Sequence, residues 1–144
     1  MHVRGQIKNR VKDVIKGAYP FKDNVLLSTD VVTPESPVAI ISILDESAEQ
    51  ITQGENPLLQ RTAELTIEVR AKKEKNRSFD EILDEAAAQI ESKLGQDLTL
   101  NRLIKRIILT RSTLEIADDS PEGRLILTYD AVYMTNNDNA IIAR

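Results

Sequence analysis

The sequence predicts an α+β (α/β) fold: a mixed, mainly antiparallel sheet with two helices packed on one face. Three observations predict it. Two stretches repeat apolar residues every three or four positions, several others alternate or run together over short β-branched segments, and these follow the order helix, three strands, helix, strand pair.

Val3, Ile7, Val11, Val14, Ile15 and Ala18 form one helical stripe, with Lys8, Lys12 and Lys16 on other faces. Gly17 and Pro20 mark the end of this helix, because glycine suits a C-terminal cap and proline cannot continue the ladder. Val25 to Val32 reads as a weak strand. Val38 to Leu44, nearly all apolar, reads as a strand covered on both faces. Asp45 to Gln60 is polar, contains Gly54 and Pro57 and has no sustained period, so it is expected to form a protruding loop or hairpin. Ala63, Leu65, Ile67 and Val69 then alternate with Glu64, Thr66, Glu68 and Arg70, as a strand with one buried face requires.

Ser78 and Glu81 have capping-box spacing at the start of a second helix. Phe79, Ile82, Leu83, Ala86, Ile90 and Leu94 make its apolar stripe, and Gly95 is expected to close it in a left-handed cap. Arg106 to Ile116 and Arg124 to Thr135 read as an antiparallel pair joined by a turn-rich segment. Residues 136–144 are expected to be a flexible tail.

A chain of 144 residues fits one domain, residues 1–144, around one core. Its composition, 41% apolar and 29% charged, is that of a globular chain, and no apolar run nears the ~20 residues that cross a bilayer. The N-terminal segment lacks a secretory pattern, since Lys8, Arg10, Lys12 and Asp13 interrupt it, so a cytoplasmic location is expected. The absence of cysteine removes disulfides, thiolate chemistry and most zinc sites, and a lone His2 cannot build a triad. No glycine-rich phosphate loop occurs. A net charge of −4 and 3% aromatic residues are unlike a nucleic-acid coat. No catalytic, cofactor or metal residues are expected, and the chain is read as a non-enzyme without a small-molecule substrate, a membrane or a required nucleic acid among its partners.

Four charged patterns admit both a chemical and a bland reading. Glu68 and Arg70, an acid two residues before a base on a strand, resemble half of a metal-dependent nuclease site, with Asp45 or Asp30 as the second acid. Arginine stays protonated and is a poor base, so charged outward residues on a half-buried strand are the better account. Lys72, Lys73, Lys75 and Arg77 are read as a solvated loop interrupted by Glu74. Glu81, Asp84 and Glu85 suit a helix N-terminus, and Asp118, Asp119 and Glu122 a polar turn without calcium-loop spacing.

The ordered pattern resembles the tail terminator proteins of long-tailed bacteriophages, of the lambda minor tail protein U type. The resemblance rests on the N-terminal helix, the Pro37 to Leu44 strand, and the R-x-x-E-L-x-I-E-V strand from Arg61 to Val69. The Asp84 to Glu91 spacing D-x-x-x-x-x-I-E and the closing L-x-L-T-Y-x-x-x-Y from Leu125 to Tyr133 complete it. The resemblance implies a ring, usually a homo-hexamer, that caps the tail tube, stops its polymerisation and presents a head-joining surface. It implies as partners further copies of the chain, a tail-tube protein and a head-completion protein, and as location the host cytoplasm during assembly and then the virion tail. A basic stretch from Lys72 to Arg77 and the C-terminal extension depart from the pattern. The expected interface residues are Asp45, Glu46, Glu49, Glu55, Arg61, Glu64, Glu68, Arg70, Ile141 and Ile142. A divalent-metal nuclease-like domain and an adaptor with another protein partner are the alternatives.

Overall fold

The structure is a computed structural model that describes residues 1–27, 36–116 and 121–144. In chain order the elements are α1 (Val3–Ile15), β1 (Val25–Leu27), β2 (Val38–Gln50), β3 (Leu58–Lys72), α2 (Phe79–Gly95), β4 (Arg106–Ile116) and β5 (Glu122–Asn136). The strands form one sheet in the order β1-β2-β3-β5-β4, parallel only between β1 and β2. This is the expected α+β architecture, mainly antiparallel with two helices. Asp30, Asp118 and Asp119 lie outside the described residues, as does the part of the expected weak strand beyond Leu27.

One face of the sheet carries the core. Ile41, Ile67 and Leu127 stand in register across β2, β3 and β5 and are fully buried, as are the α1 stripe Val3, Ile7, Val11 and Ile15 and the α2 residues Ile82, Leu83, Ala86 and Ile90. These are the positions that the two periods select, because burying an aliphatic side chain contributes about 1.5–3 kcal/mol and only one face of each element can reach the core.

β2, beyond its pairing with β1, and the edge strand β4 are bulged at the same level of the sheet. The β2 register shifts between Ile43 and Asp45, with Leu44 as the extra residue, and the β4 register shifts between Leu109 and Arg111, with Thr110 extra. Their neighbours Leu65 and Tyr129 are themselves paired across β3 and β5. Such bulges interrupt the ladder and discourage indiscriminate pairing at an edge.

Helix ends depart from expectation in two places. Ser78 Oγ accepts from Glu81 N at 3.3 Å, but the Glu81 carboxylate lies 3.9 Å from Arg77 Nε. Gly95 is not left-handed: α2 ends on Gln96 in a right-handed conformation, and the positive φ values fall later, at Leu100, Asn101 and Arg102. The chain therefore leaves α2 through a further turn, where Asp97 Oδ1 accepts from Asn101 N at 2.8 Å. At the end of α1, Gly17 does adopt a left-handed conformation, with φ of 93°.

Candidate interaction surfaces

The face of the sheet away from the helices bears rows of polar side chains set by the register. Ser42 and Thr66 are paired, with 2.7 Å between their hydroxyl oxygens. Next to them Glu68 is held by Arg70 at 3.0 Å and by Arg124 at 3.1 Å, one guanidinium on each carboxylate oxygen, and Arg124 also bonds Glu115. A carboxylate so neutralised is a poor ligand for a divalent cation. Among the described residues no three His, Cys, Asp or Glu side chains converge as a metal site.

Further along, Asp45, Glu64 and Asp130 stand side by side across β2, β3 and β5. Together with Glu49 and Glu55 they make no ion pair among the described residues. Like charges opposite one another on a strand pair are destabilising, so this acidic row costs free energy in the isolated chain.

Glu46 and Arg61 stand elsewhere. Beyond the Leu44 bulge the alternation of β2 is shifted by one, and Glu46 pairs with Ala63 on the helix-covered face. Its carboxylate, 9% exposed, accepts from Arg61 at 3.2 Å and from the Tyr133 hydroxyl. Arg61 Nε also donates to Thr135 Oγ1 at 2.9 Å. Burial, and then this bond to Glu46, hold the Tyr133 hydroxyl well above its ordinary pKa. These two expected interface residues thus form a polar closure of the core, and Tyr133 and Thr135 complete it.

His2 lies at the same end. Its Nδ1 accepts from Arg4 N at 3.0 Å, capping α1. Burial, with Arg4 next, lowers its pKa below the ordinary 6.5. The folded state then prefers the neutral ring more strongly than the unfolded state does. This contribution to stability is fully present above pH 6.5 and is lost as pH falls from there through the lowered value. His2→Asn keeps a capping acceptor without the titration. Urea midpoints of the wild type should accordingly fall relative to His2→Asn below pH 6.5, and parallel profiles would remove the cap from this account.

The hairpin between β2 and β3 closes over residues 51–57, with Gly54 at φ of 118° and Leu58 N donating to Thr52 Oγ1 at 2.8 Å. Residues 136–144 run back along α1. Val3 N donates to Ala140 O at 2.9 Å, Gln6 Nε2 to Ile141 O at 2.8 Å, and Arg144 N to Met134 O at 2.7 Å. Ile141 and Ile142 remain 59% and 54% exposed.

The basic stretch is partly tied down. Arg77 donates to Glu85 at 2.6 Å and lies over the Tyr19 ring, 5.4 Å from its centroid, while Lys72, Lys73 and Lys75 are exposed.

At the opposite edge, β4 and the end of α2 enclose a hollow of about 340 Å³ lined by Glu91, Leu94, Gly95, Leu98, Ile107, Ile108, Leu109 and Tyr129. The Tyr129 hydroxyl is buried without a hydrogen-bond partner among the described residues, and burial, with Glu91 second, raises its pKa. In the sequence this edge is marked only by the apolar run Ile107, Ile108 and Leu109 next to Lys105 and Arg106, a signal absent from the expected interface residues.

A solved structure has a similar fold: a chain in the virion of the native gene transfer agent particle. The fold is similar to that of a virion chain. The TM-score is 0.54 at 16% identity, and the match covers 93% of this chain and 92% of that one, so the likeness is of the whole fold. No family model and no curated protein matches the sequence.

Proposed function

We propose that this chain is a structural protein of a phage-like particle, and within it a tail terminator that assembles as a homo-oligomeric ring on the end of the tail tube. The observation that carries the reading is the near end-to-end likeness to a chain of the gene transfer agent virion. It agrees with the ordered motifs of Arg61 to Val69 and Leu125 to Tyr133. Surfaces unsatisfied in the isolated chain support assembly: the unpaired acids of β2 and β3, and the exposed Ile141 and Ile142. Neither a catalytic residue nor a cofactor enters this reading. The partners would be further copies, the tube subunit and a head-completion protein.

The test is tail length. Particles made without this chain should carry tails of uncontrolled length, and adding the purified chain should restore uniform tails. Normal tails in its absence would sink the terminator role. Ile141→Ser with Ile142→Ser should leave the unfolding midpoint unchanged, since both side chains are more than half exposed, yet lower the oligomer mass in light scattering. An unchanged mass would take the tail out of the interface.

A further inference from the structure

The two edges of the sheet carry opposite, unspent charge. The outer side of β2 beyond Ile41 has no strand partner among the described residues, and bears Asp45 and Glu49 together with Leu44, which the bulge turns out to 88% exposure. The outer side of β4 is also unpartnered among the described residues. Along and beside it stand Arg102, Lys105, Arg106 and Arg111, all exposed and all without an ion pair among the described residues. Arg106 and Arg111 fall on the open face by register, and the apolar hollow lies beside the same strand against α2, with Leu98 52% exposed and Ile108 45% exposed at its rim and Tyr129 in its wall.

Each edge thus has what the other lacks: acids beside an apolar knob on one side, bases beside an apolar socket on the other. We infer that the outer edge of β2 from one copy docks along the outer edge of β4 of a second copy, with Leu44 seated in the hollow between α2 and β4. A hollow of about 340 Å³ has ample room for one aliphatic side chain. Charge complementarity sets the orientation and disfavours acid-to-acid or base-to-base pairing of like edges. The two surfaces lie on opposite sides of one sheet, so the contact is heterologous, and repeating it head to tail gives a ring if the rotation closes. Asp45, the member of the acidic row that lies at this edge, then meets the neighbour's bases.

This inference rests on the ring reading of the preceding subsection but makes a narrower claim, and the chain's lack of cysteine makes it directly testable. Leu44→Cys and Leu98→Cys, placed in one chain and oxidised mildly, should give a cross-linked ladder whose largest member is the closed ring. Mixed single variants should form only the 44-to-98 dimer. Dimers of 44 with 44 or of 98 with 98 would overturn the head-to-tail pairing. In the full-length chain without cysteines, Asp45→Lys with Glu49→Lys should abolish the oligomer in native mass spectrometry, and adding Arg106→Glu with Arg111→Glu should restore it. An oligomer that forms normally in every variant, without the cross-link, would overturn this interface while leaving the ring intact. A chain that is monomeric and fails to cross-link would overturn the interface too. The tail-length assay then decides the terminator role separately.

Discussion

Glu46→Ala is expected to destabilise the fold by about 3–5 kcal/mol, the range for removing one partner of a buried ion pair. The side chains of Glu46 and Arg61 are 9% and 15% exposed, so water can do little to replace the lost carboxylate. Arg61 would remain as an uncompensated charge, and the fully buried Tyr133 would lose the acceptor of its hydroxyl. Glu46→Gln should lie between, since an amide oxygen still accepts from Tyr133 but carries no charge. The decisive variant is Glu46→Leu combined with Arg61→Leu. Replacing both members of a buried pair by apolar side chains is often near neutral, so the double variant should be more stable than Glu46→Ala despite losing more polar contacts. Urea unfolding of all three measures this. A double variant no more stable than Glu46→Ala would show that the cluster's contribution is not mainly charge compensation.

That Glu46 has this role could not be read from the sequence, and the reason is geometrical. An unbroken two-residue alternation starting at Ile41 and Ile43 would place Asp45 on the core face and Glu46 outside. The single extra residue at Leu44 reverses the parity of everything after it, sending Asp45 to the open face and Glu46 to the core. The same bulge accounts for the exposure of Leu44, an apolar residue that looked like the end of a doubly covered strand. Where no bulge intervenes, pattern and structure agree. Ala63 to Val69 alternates as expected, and the stripes of α1 and α2 are the buried residues, because one-sided burial imposes the period directly. The end of α2 departs from the expected left-handed cap for a different reason. Glycine permits a left-handed cap but does not impose one, and capping by Asp97 within the following turn lets the chain pass Gly95 in right-handed conformation.

Among the expected interface residues the same distinction holds. Glu64, Glu68 and Arg70 stand on the open face because β3 is regular, whereas Asp130, which stands opposite Glu64, and Arg124, which holds Glu68, come from a strand more than 40 positions away in the chain. Cross-strand register is a property of the folded sheet. No local pattern announces that Arg124 will neutralise Glu68, or that the run from Ile107 to Leu109 will line a hollow against Leu98.

Leu83→Ala is expected to cost about 2–5 kcal/mol, and its coupling to Gly123 makes the packing between α2 and β5 testable. Leu83 is fully buried, and Gly123 lies directly beneath it: a Cβ built on Gly123 would meet Leu83 Cδ1 and Phe79 Cδ1, each at 3.2 Å. Gly123 is the second residue of β5, and a glycine within a strand gives up side-chain packing and conformational restriction, so its presence here marks a close approach of helix to sheet. Gly123→Val alone should therefore overpack the contact and cost about 1–3 kcal/mol, in spite of valine's preference for strands. Combined with Leu83→Ala, the new methyl groups enter the space that the leucine vacates, and the two costs should fall short of their sum by about 0.5–3 kcal/mol. Phe79 still stands at 3.2 Å, so the rescue is partial. Denaturant unfolding of the two single variants and the double closes the cycle. Strict additivity would mean that α2 shifts as a body to relieve the valine and that Gly123 does not set the distance between helix and sheet.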